Sequence, residues 1–474
     1  MTGPTPPSLA QRLADYTVSS AKRSYPDEIF DKARMCLADW VCVTLGATEE
    51  PAAKRIDSVI HAWMGQGHSA TFHGSHQTPA LAALINGTMA HCLDYDDVHF
   101  PSLTHISAPT WAAILALACG TPITQQRLLE CFITGYEVGA RLGSHGVGPA
   151  ILDSGWHATG VIGRLSATVA SAALLGLEPE QVKQAIAIVA TQTSGLTASF
   201  GTDSKPMHCG KAAFDAIFSV QLALSGFRGE IDILEGPRSL IDTLVQTNTP
   251  KMILENLEND WKIRENALKP YACCGLTHAA IDSARHLYLE LGSHGLSHLE
   301  RIDVMAHPLA SKVAAQTQVT TPLAGKFSIA YCTALGLNGY HASAQDFTSE
   351  RIAQPELARL ADKVTLHADD RFAPTAASVI LSFSDKTTVE RVTQESLGNP
   401  GNPMTWEDLH IKFAALTETK IGARSELLFE HLRTFGGERN ADIIWGLGIP
   451  THKDRSKASQ SDKNALHSMS KRQI

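Results

Sequence analysis

The feature that most constrains this chain is the run of Ala- and Leu-rich helical segments, studded with Gly and Ser, that fills its first 250 residues. Pro6 and Pro7 precede Ser8, a good N-cap, and Leu9, Leu13 and Tyr16 then recur at helical spacing. In PDEIFDKARMCLADWVCVTLGA, residues Ile29, Ala33, Leu37, Trp40 and Thr44 fall on one stripe. Acids occupy its first turn and Gly46 marks the stop. Segments 78–98, 106–119, 125–142 and 158–176 read the same way, and a further helix starts at Pro179, with Glu180 placed to favour its dipole. Small residues let helices approach closely, which suits a large, tightly packed helical core.

The pattern changes after about Asp260. RIDVMAH from Arg301 and VTLHADD from Val364 alternate like strands, and SVILSFSDKTTVERVT places two alternating runs around Asp385-Lys386, a hairpin. Helical pieces lie between, around 276–292 and 326–337, and the helical period returns through 405–418 and 423–435. The expected fold is mainly α, a large all-helical domain from residues 1–265 and 396–450 with a smaller α+β lid domain, 266–395, inserted. Residues 451–474, polar and rich in Lys and Ser, read as a disordered tail. Neither GxGxxG after a strand nor GxxxxGK[ST] occurs, so nucleotide binding lacks support.

A formal charge of −8 and a pI near 6.2 argue against a nucleic-acid binder, yet leave room for a locally basic pocket that takes an anion. Nine scattered cysteines without a CxxC suit small buried hydrophobes in a reducing compartment rather than a disulfide scaffold. The N-terminus has neither a secretory nor an Arg-rich transit pattern, and no run of about 18 uncharged apolar residues occurs. The expectation is a cytoplasmic protein, a mitochondrial location staying open, with no membrane and no nucleic-acid partner.

Five segments carry the chemistry. HCLDYDDVHFPSLTHISAP, residues 91–109, packs His91, Asp94, Asp96, Asp97, His99 and His105 together. On a helix, His91, Asp94 and Asp97 would share a face, so the segment reads as an active-site wall where a helix ends and a loop begins. A solvated helix end is the plain alternative, and a divalent metal site is another. So many titratable groups beside an apolar helix are costly unless exposed or used, which favours a working site. SGWHATG sets His157, after Trp156, at a helix start. FGTDSKPMHCGKAA carries Lys205, His208 and Lys211; Gly201 and Pro206 mark a loop before a helix whose N–H groups would help the basic residues hold a carboxylate. LKPYACCGLTHAAIDSARHL arranges Lys269, Tyr271 and His278 around a Cys-Cys-Gly turn, and adjacent cysteines suit neither an unstrained disulfide nor a normal zinc pair. GKFSIAYC, with Lys326, Ser328 and Tyr331, reads by itself as an amphipathic helix.

In this order, the five segments resemble the MmgE/PrpD family over about residues 8–440. LDYDDVHFPSLTH with YACCGLTH is most similar to its cis-aconitate decarboxylase branch; FGTDSKPMHCGKAA also resembles the iminodisuccinate epimerases, and the 2-methylcitrate dehydratases look more distant. The resemblance implies a helical domain with an α+β lid, a homodimer, and a pocket between the domains that needs no cofactor and no metal. Carried over by motif position, it implies catalytic roles for Asp94, His105, His157, His278 and Tyr331, with substrate binding by Lys205; Lys269 and His208 stand beside these as further substrate-binding candidates. Val98 falls where some decarboxylases have a hydroxyl side chain, a departure that bears on the substrate.

The implied activity is that of a carbon–carbon lyase on a small di- or tricarboxylate. Decarboxylation of cis-aconitate to itaconate by His/Lys acid–base chemistry leads, with dehydration of a 2-methylcitrate or epimerisation of an imino- or amino-dicarboxylate as alternatives. Outside the family stand a metal-dependent hydrolase built on His91, Asp94, Asp97 and His105, and a non-catalytic scaffold.

Overall fold

Ser8 caps the first helix: its hydroxyl accepts the Gln11 N–H at 3.2 Å, and α1, Leu9–Val18, follows. The computed structural model describes residues 7–63, 66–245, 252, 254–257 and 259–450; the expected tail at 451–474 lies outside them. Helix α2, Asp27–Gly46, opens with Asp27 and Glu28 at its positive end and buries Ile29, Ala33, Leu37 and Trp40. The chain then forms α3 (Pro79–Cys92), α4 (Ser107–Ala118), α5 (Gln125–Gly143), α6 (Ala158–Leu175), α7 (Pro179–Ala190) and α8 (Ser204–Leu224). By length and composition α6 could cross a membrane, but 94% of it is buried inside the protein, where Arg164 pairs with Asp215 of α8 at 2.9 Å.

The crossing of α3 and α8 positions the site. A Cβ on Gly210 would lie 2.2 Å from the Leu84 carbonyl oxygen, and one on Gly87 would lie 2.9 Å from the Gly210 Cα. Only glycine at both positions lets the two backbones touch. The helices run antiparallel, so five residues along from this contact the end of α3 meets the start of α8.

The second part of the chain adds α9 (His278–Gly295), β1 (Leu299–Ala306), α10 (Ile329–Leu337), β2 (Val364–Ala368), β3 (Ala377–Phe383), β4 (Thr388–Thr393), α11 (Trp406–Ile421) and α12 (Arg424–Arg433). The sheet order is β2-β1-β3-β4. Strand β1 is parallel to β2, with Ile302 opposite Val364, and antiparallel to β3, with Ile302 opposite Leu381. Strands β3 and β4 form the expected hairpin, and Lys386 at its tip takes φ 69°. Helix α9 covers the sheet, so Ile302, Val304, Val379 and Leu381 share a core with Ala280, Ala284 and Leu287. Helices α11 and α12 pack back on α2. The fold is mainly α, as the sequence pattern implies.

Two local expectations fail. Helix α3 stops at Cys92 instead of running to 98, and Asp94 adopts left-handed φ 50°, so His91, Asp94 and Asp97 do not share a helix face. Helix α8 starts at Ser204, which places Lys205, Pro206 and His208 in its first turns rather than in a preceding loop. Pro206 fits there because the first N–H groups of a helix have no intrahelical acceptor.

Candidate active site

A cavity of about 70 Å³, partly open to solvent, lies where the end of α3, the starts of α6 and α8, and the segments 268–276 and 308–327 converge. Asp94, His105, His157, Lys205 and Lys269 form its polar pole. A two-residue bridge, Val98–His99 against Asn266–Ala267, ties the loop after α3 to the segment that carries Lys269.

Asp94 lies between two ammonium groups. Lys205 donates to its Oδ1, and Lys269 donates to its Oδ2 at 3.1 Å and to its backbone oxygen at 2.9 Å. Burial alone would raise the Asp94 pKa; Lys205 and Lys269 outweigh it and hold the carboxyl well below the usual range. This double pull accounts for the left-handed turn, because a helical Asp94 would carry its carboxylate away from both lysines.

The hydrogen bonds fix two histidine tautomers. Lys205 Nζ stands 2.7 Å from His91 Nε2, and an ammonium group can only donate. His91 Nδ1 therefore carries the proton, which it gives to Asp96 at 2.8 Å. Burial, with the Lys205 charge, brings the His91 pKa down to about 3 despite Asp96. His105 Nδ1 faces two acceptors, the Asp97 carbonyl at 2.8 Å and Asp96 Oδ2 at 3.1 Å, so it too holds a proton. Burial lowers the His105 pKa, which keeps the ring neutral and leaves Nε2 with a free lone pair.

His157 precedes the first residue of α6, and its Nδ1 is 3.0 Å from His208 Nδ1. The His157 N–H donates to the Gly195 carbonyl at 3.0 Å. Gly195 has φ +116°, and a Cβ there would come within 3.0 Å of His208 Nδ1, so this turn requires glycine. Burial and the neighbouring Lys205 push the His157 pKa well down. Phe200 and Phe327 flank Lys205, with its Nζ 5.6 and 5.1 Å from their centroids.

Three of the expected site residues sit elsewhere. His208 lies behind His157 and reaches the cavity only through it. His278 is turned away, with Nε2 3.2 Å from the Cys273 carbonyl and its ring against Tyr271 at 5.2 Å. Tyr331 packs against Phe347 and donates its hydroxyl to the Asp346 carbonyl at 3.1 Å, so it does not line the cavity either. Cys273 and Cys274 are free and buried.

Two more lysines brace the site, and Lys412 stands in none of the five motifs. Lys412 of α11 pairs with Asp39 and donates to the Tyr95 and Lys269 carbonyls at 2.7 and 2.9 Å, which pins the two segments that hold Asp94 and Lys269. Lys326 donates to the Leu93 carbonyl. His91, Asp96 and His105 offer donor atoms within 4.8 Å of one another, the spacing of a metal centre. That set is already committed, since Asp96 accepts protons from both rings and Lys205 holds His91 Nε2.

Residues 11–253 match the MmgE/PrpD N-terminal domain and residues 271–433 match the MmgE/PrpD C-terminal domain. The chain belongs to the MmgE/PrpD family. The family's N-terminal domain supplies Asp94, His105, His157 and Lys205, while its C-terminal domain supplies the wall at 274–276 and 309–327. Lys269 falls between the two matched regions. The cis-aconitate decarboxylase of Aspergillus terreus is 24% identical over 436 residues, 86% of this chain and 89% of that protein. The cis-aconitate decarboxylase-like protein oryM of Aspergillus oryzae is 24% identical over 443 residues, 87% and 91% of the two chains. The cis-aconitate decarboxylase of Mus musculus is 26% identical over 352 residues, 71% of each. This MmgE/PrpD chain keeps Val98 on the cavity wall, beside Phe100, Leu103 and Phe200, so much of the pocket is hydrocarbon.

Proposed function

We propose that the protein is a cofactor-independent carbon–carbon lyase that decarboxylates an unsaturated polycarboxylate of the cis-aconitate type. The observation that carries this reading is the pole itself: two buried ammonium groups on one carboxylate, facing two histidines held neutral by burial. The names of relatives similar over most of the chain support it.

Lys205 and Lys269 attract the substrate carboxylates. Arrival of this negative charge raises the pKa of His105 and His157, and one ring takes a proton from solvent. A carboxylate then leaves as carbon dioxide. Its bonding pair passes into the conjugated alkene and carboxylate, forming a dienolate beside the lysines. The imidazolium protonates carbon and returns to the neutral state. For cis-aconitate the balance is trianion plus proton giving itaconate dianion plus carbon dioxide.

One observation favours a second reading. The free Nε2 of His105 is oriented as a base, the first requirement for dehydrating a 2-methylcitrate or epimerising an imino-dicarboxylate. Incubating chelator-treated protein with cis-aconitate and following the proton NMR spectrum separates them. Itaconate signals support the decarboxylase. Silence sinks it, and 2-methylcitrate and iminodisuccinate become the next substrates.

The working unit in this proposal is a homodimer. Helix α8 carries Met207 and Phe218, each more than 40% exposed, on the face opposite its buried contacts.

A further inference from the structure

The cavity is chemically two-ended. At the pole, Lys205 and Lys269 face two carboxylates, Asp94 and Asp96, so with neutral histidines these four groups carry no net charge. Lys326, held by the Leu93 carbonyl, adds one positive charge behind them. Such a pole balances one carboxylate, and a second must be met by proton uptake. The rest of the lining is hydrocarbon: Phe200 and Phe327 flank Lys205 and share a hydrophobic cluster with Leu276, Leu309 and Val313, and Leu152 also faces the cavity. Leu152 comes from a short helix, Val147–Asp153, and Leu309 and Val313 from another, Pro308–Val313. An ion pair between Asp153 and Lys312, at 2.7 Å and about half exposed, bridges these two helices. The wall is thus roofed at its rim. A carboxylate placed against it would lose water and find no donor, whereas a hydrocarbon group would be buried.

We propose that the substrate bears an alkyl arm: a di- or tricarboxylate head at the Lys205–Lys269 pole, with a chain of several carbons lying along the Phe200–Leu309–Val313 wall. This rests on reading the pole as a carboxylate site. It makes unsubstituted cis-aconitate a poorer ligand than an alkyl-substituted relative, because burial of each methylene contributes about 0.8 kcal/mol, roughly fourfold in affinity.

The test is calorimetric titration of the full chain with succinate, methylsuccinate, n-propylsuccinate and n-hexylsuccinate. The expected result is affinity rising about fourfold per methylene, at least through propyl. In Leu309→Asn, checked for a native melt, the ratio of hexylsuccinate to succinate affinity falls at least tenfold. Affinity that is flat or falls with chain length overturns the proposal. So does failure of all four to bind, which would also remove the carboxylate pole. The reaction is scored separately by turnover of cis-aconitate. Turnover with a flat series keeps the lyase and removes the alkyl arm; a rising series without turnover keeps the arm and removes that reaction.

Discussion

The Nδ1 atoms of His157 and His208 lie 3.0 Å apart, so one ring gives its proton to the other. Arg164 steadies the surrounding turn, reaching Ser194 Oγ at 3.1 Å and Asp215 at 2.9 Å. When His157 is protonated, it must be the donor and His208 the acceptor. His208 is therefore a positioning residue that stabilises the charged form of its partner. Replacing it with Phe should lower kcat roughly tenfold with little change in KM, less than the 10²–10⁴-fold of direct acid–base groups. The alkaline limb of the kcat profile should move to lower pH, because the imidazolium loses its acceptor. His208→Asn, whose side-chain oxygen accepts a hydrogen bond, should recover part of the rate. An unmoved pH profile in the Phe variant would leave His208 a packing residue only.

Substrate binding should take up protons. Burial depresses the pKa of both His105 and His157 in the free protein, and an anion beside them reverses that shift. The complex then holds more protons than the free protein across neutral pH, so affinity falls as pH rises, by up to about tenfold per unit for each proton linked. Calorimetry of succinate in buffers of different ionisation enthalpy counts these protons. Uptake is expected; release, or no exchange, would contradict neutral histidines at the pole.

Much of this site was legible in the sequence because its residues cluster in short, dense motifs. Asp94, His105, His157, Lys205 and Lys269 stand in segments whose titratable residues had no reason to crowd an apolar helix end. What escaped was set by tertiary contact. Helical periodicity carries α3 through Asp94, but the pull of two lysines from distant segments turns the chain into a left-handed residue instead. Lys412 falls on the apolar face of α11, between Leu409 and Phe413, a misplaced charge that could have announced a buried pair. The hydrocarbon wall comes from single residues on separate elements, which leaves no period to read. His278 and Tyr331 sit in the right motifs, yet neither lines the cavity, and backbone carbonyls take His278 Nε2 and the Tyr331 hydroxyl.

Removing the Asp94 charge should expose how much of the pole is held by that one carboxylate. Asp94→Asn leaves Lys205 and Lys269 buried without their counter-charge, and breaking a buried pair costs about 3–5 kcal/mol. The variant should melt well below the parent. Added succinate should then raise its melting temperature by more than it raises the parent's, since an external carboxylate replaces the lost one. Equal shifts in both proteins would place the succinate away from these lysines.

Exhaustive dialysis against a chelator should leave turnover intact, and added zinc should inhibit. The three donors of His91, Asp96 and His105 are close enough for a metal, but two imidazole protons lie between them and the Lys205 ammonium sits on His91. A cation entering there must displace those protons and disturb the tautomer that leaves His105 Nε2 free. Loss of activity on dialysis, restored by one equivalent of metal, would instead make this trio a metal centre.

The exposed stripe on α8 gives the proposed dimer its test. Phe214 and Phe218 lie one turn apart, their centroids separated by 6.2 Å, and Met207 extends the apolar line towards the start of the helix. Phe218→Arg would put an unpaired charge in the middle of the proposed interface. Sedimentation should therefore show a dimer for the parent chain and a monomer for Phe218→Arg at micromolar concentration. Because Lys205 and His208 sit in the first turns of the same helix, the monomer should also lose turnover. A parent chain that sediments as a monomer at that concentration, or a variant that stays dimeric, would move the interface elsewhere and leave the α8 stripe without this role.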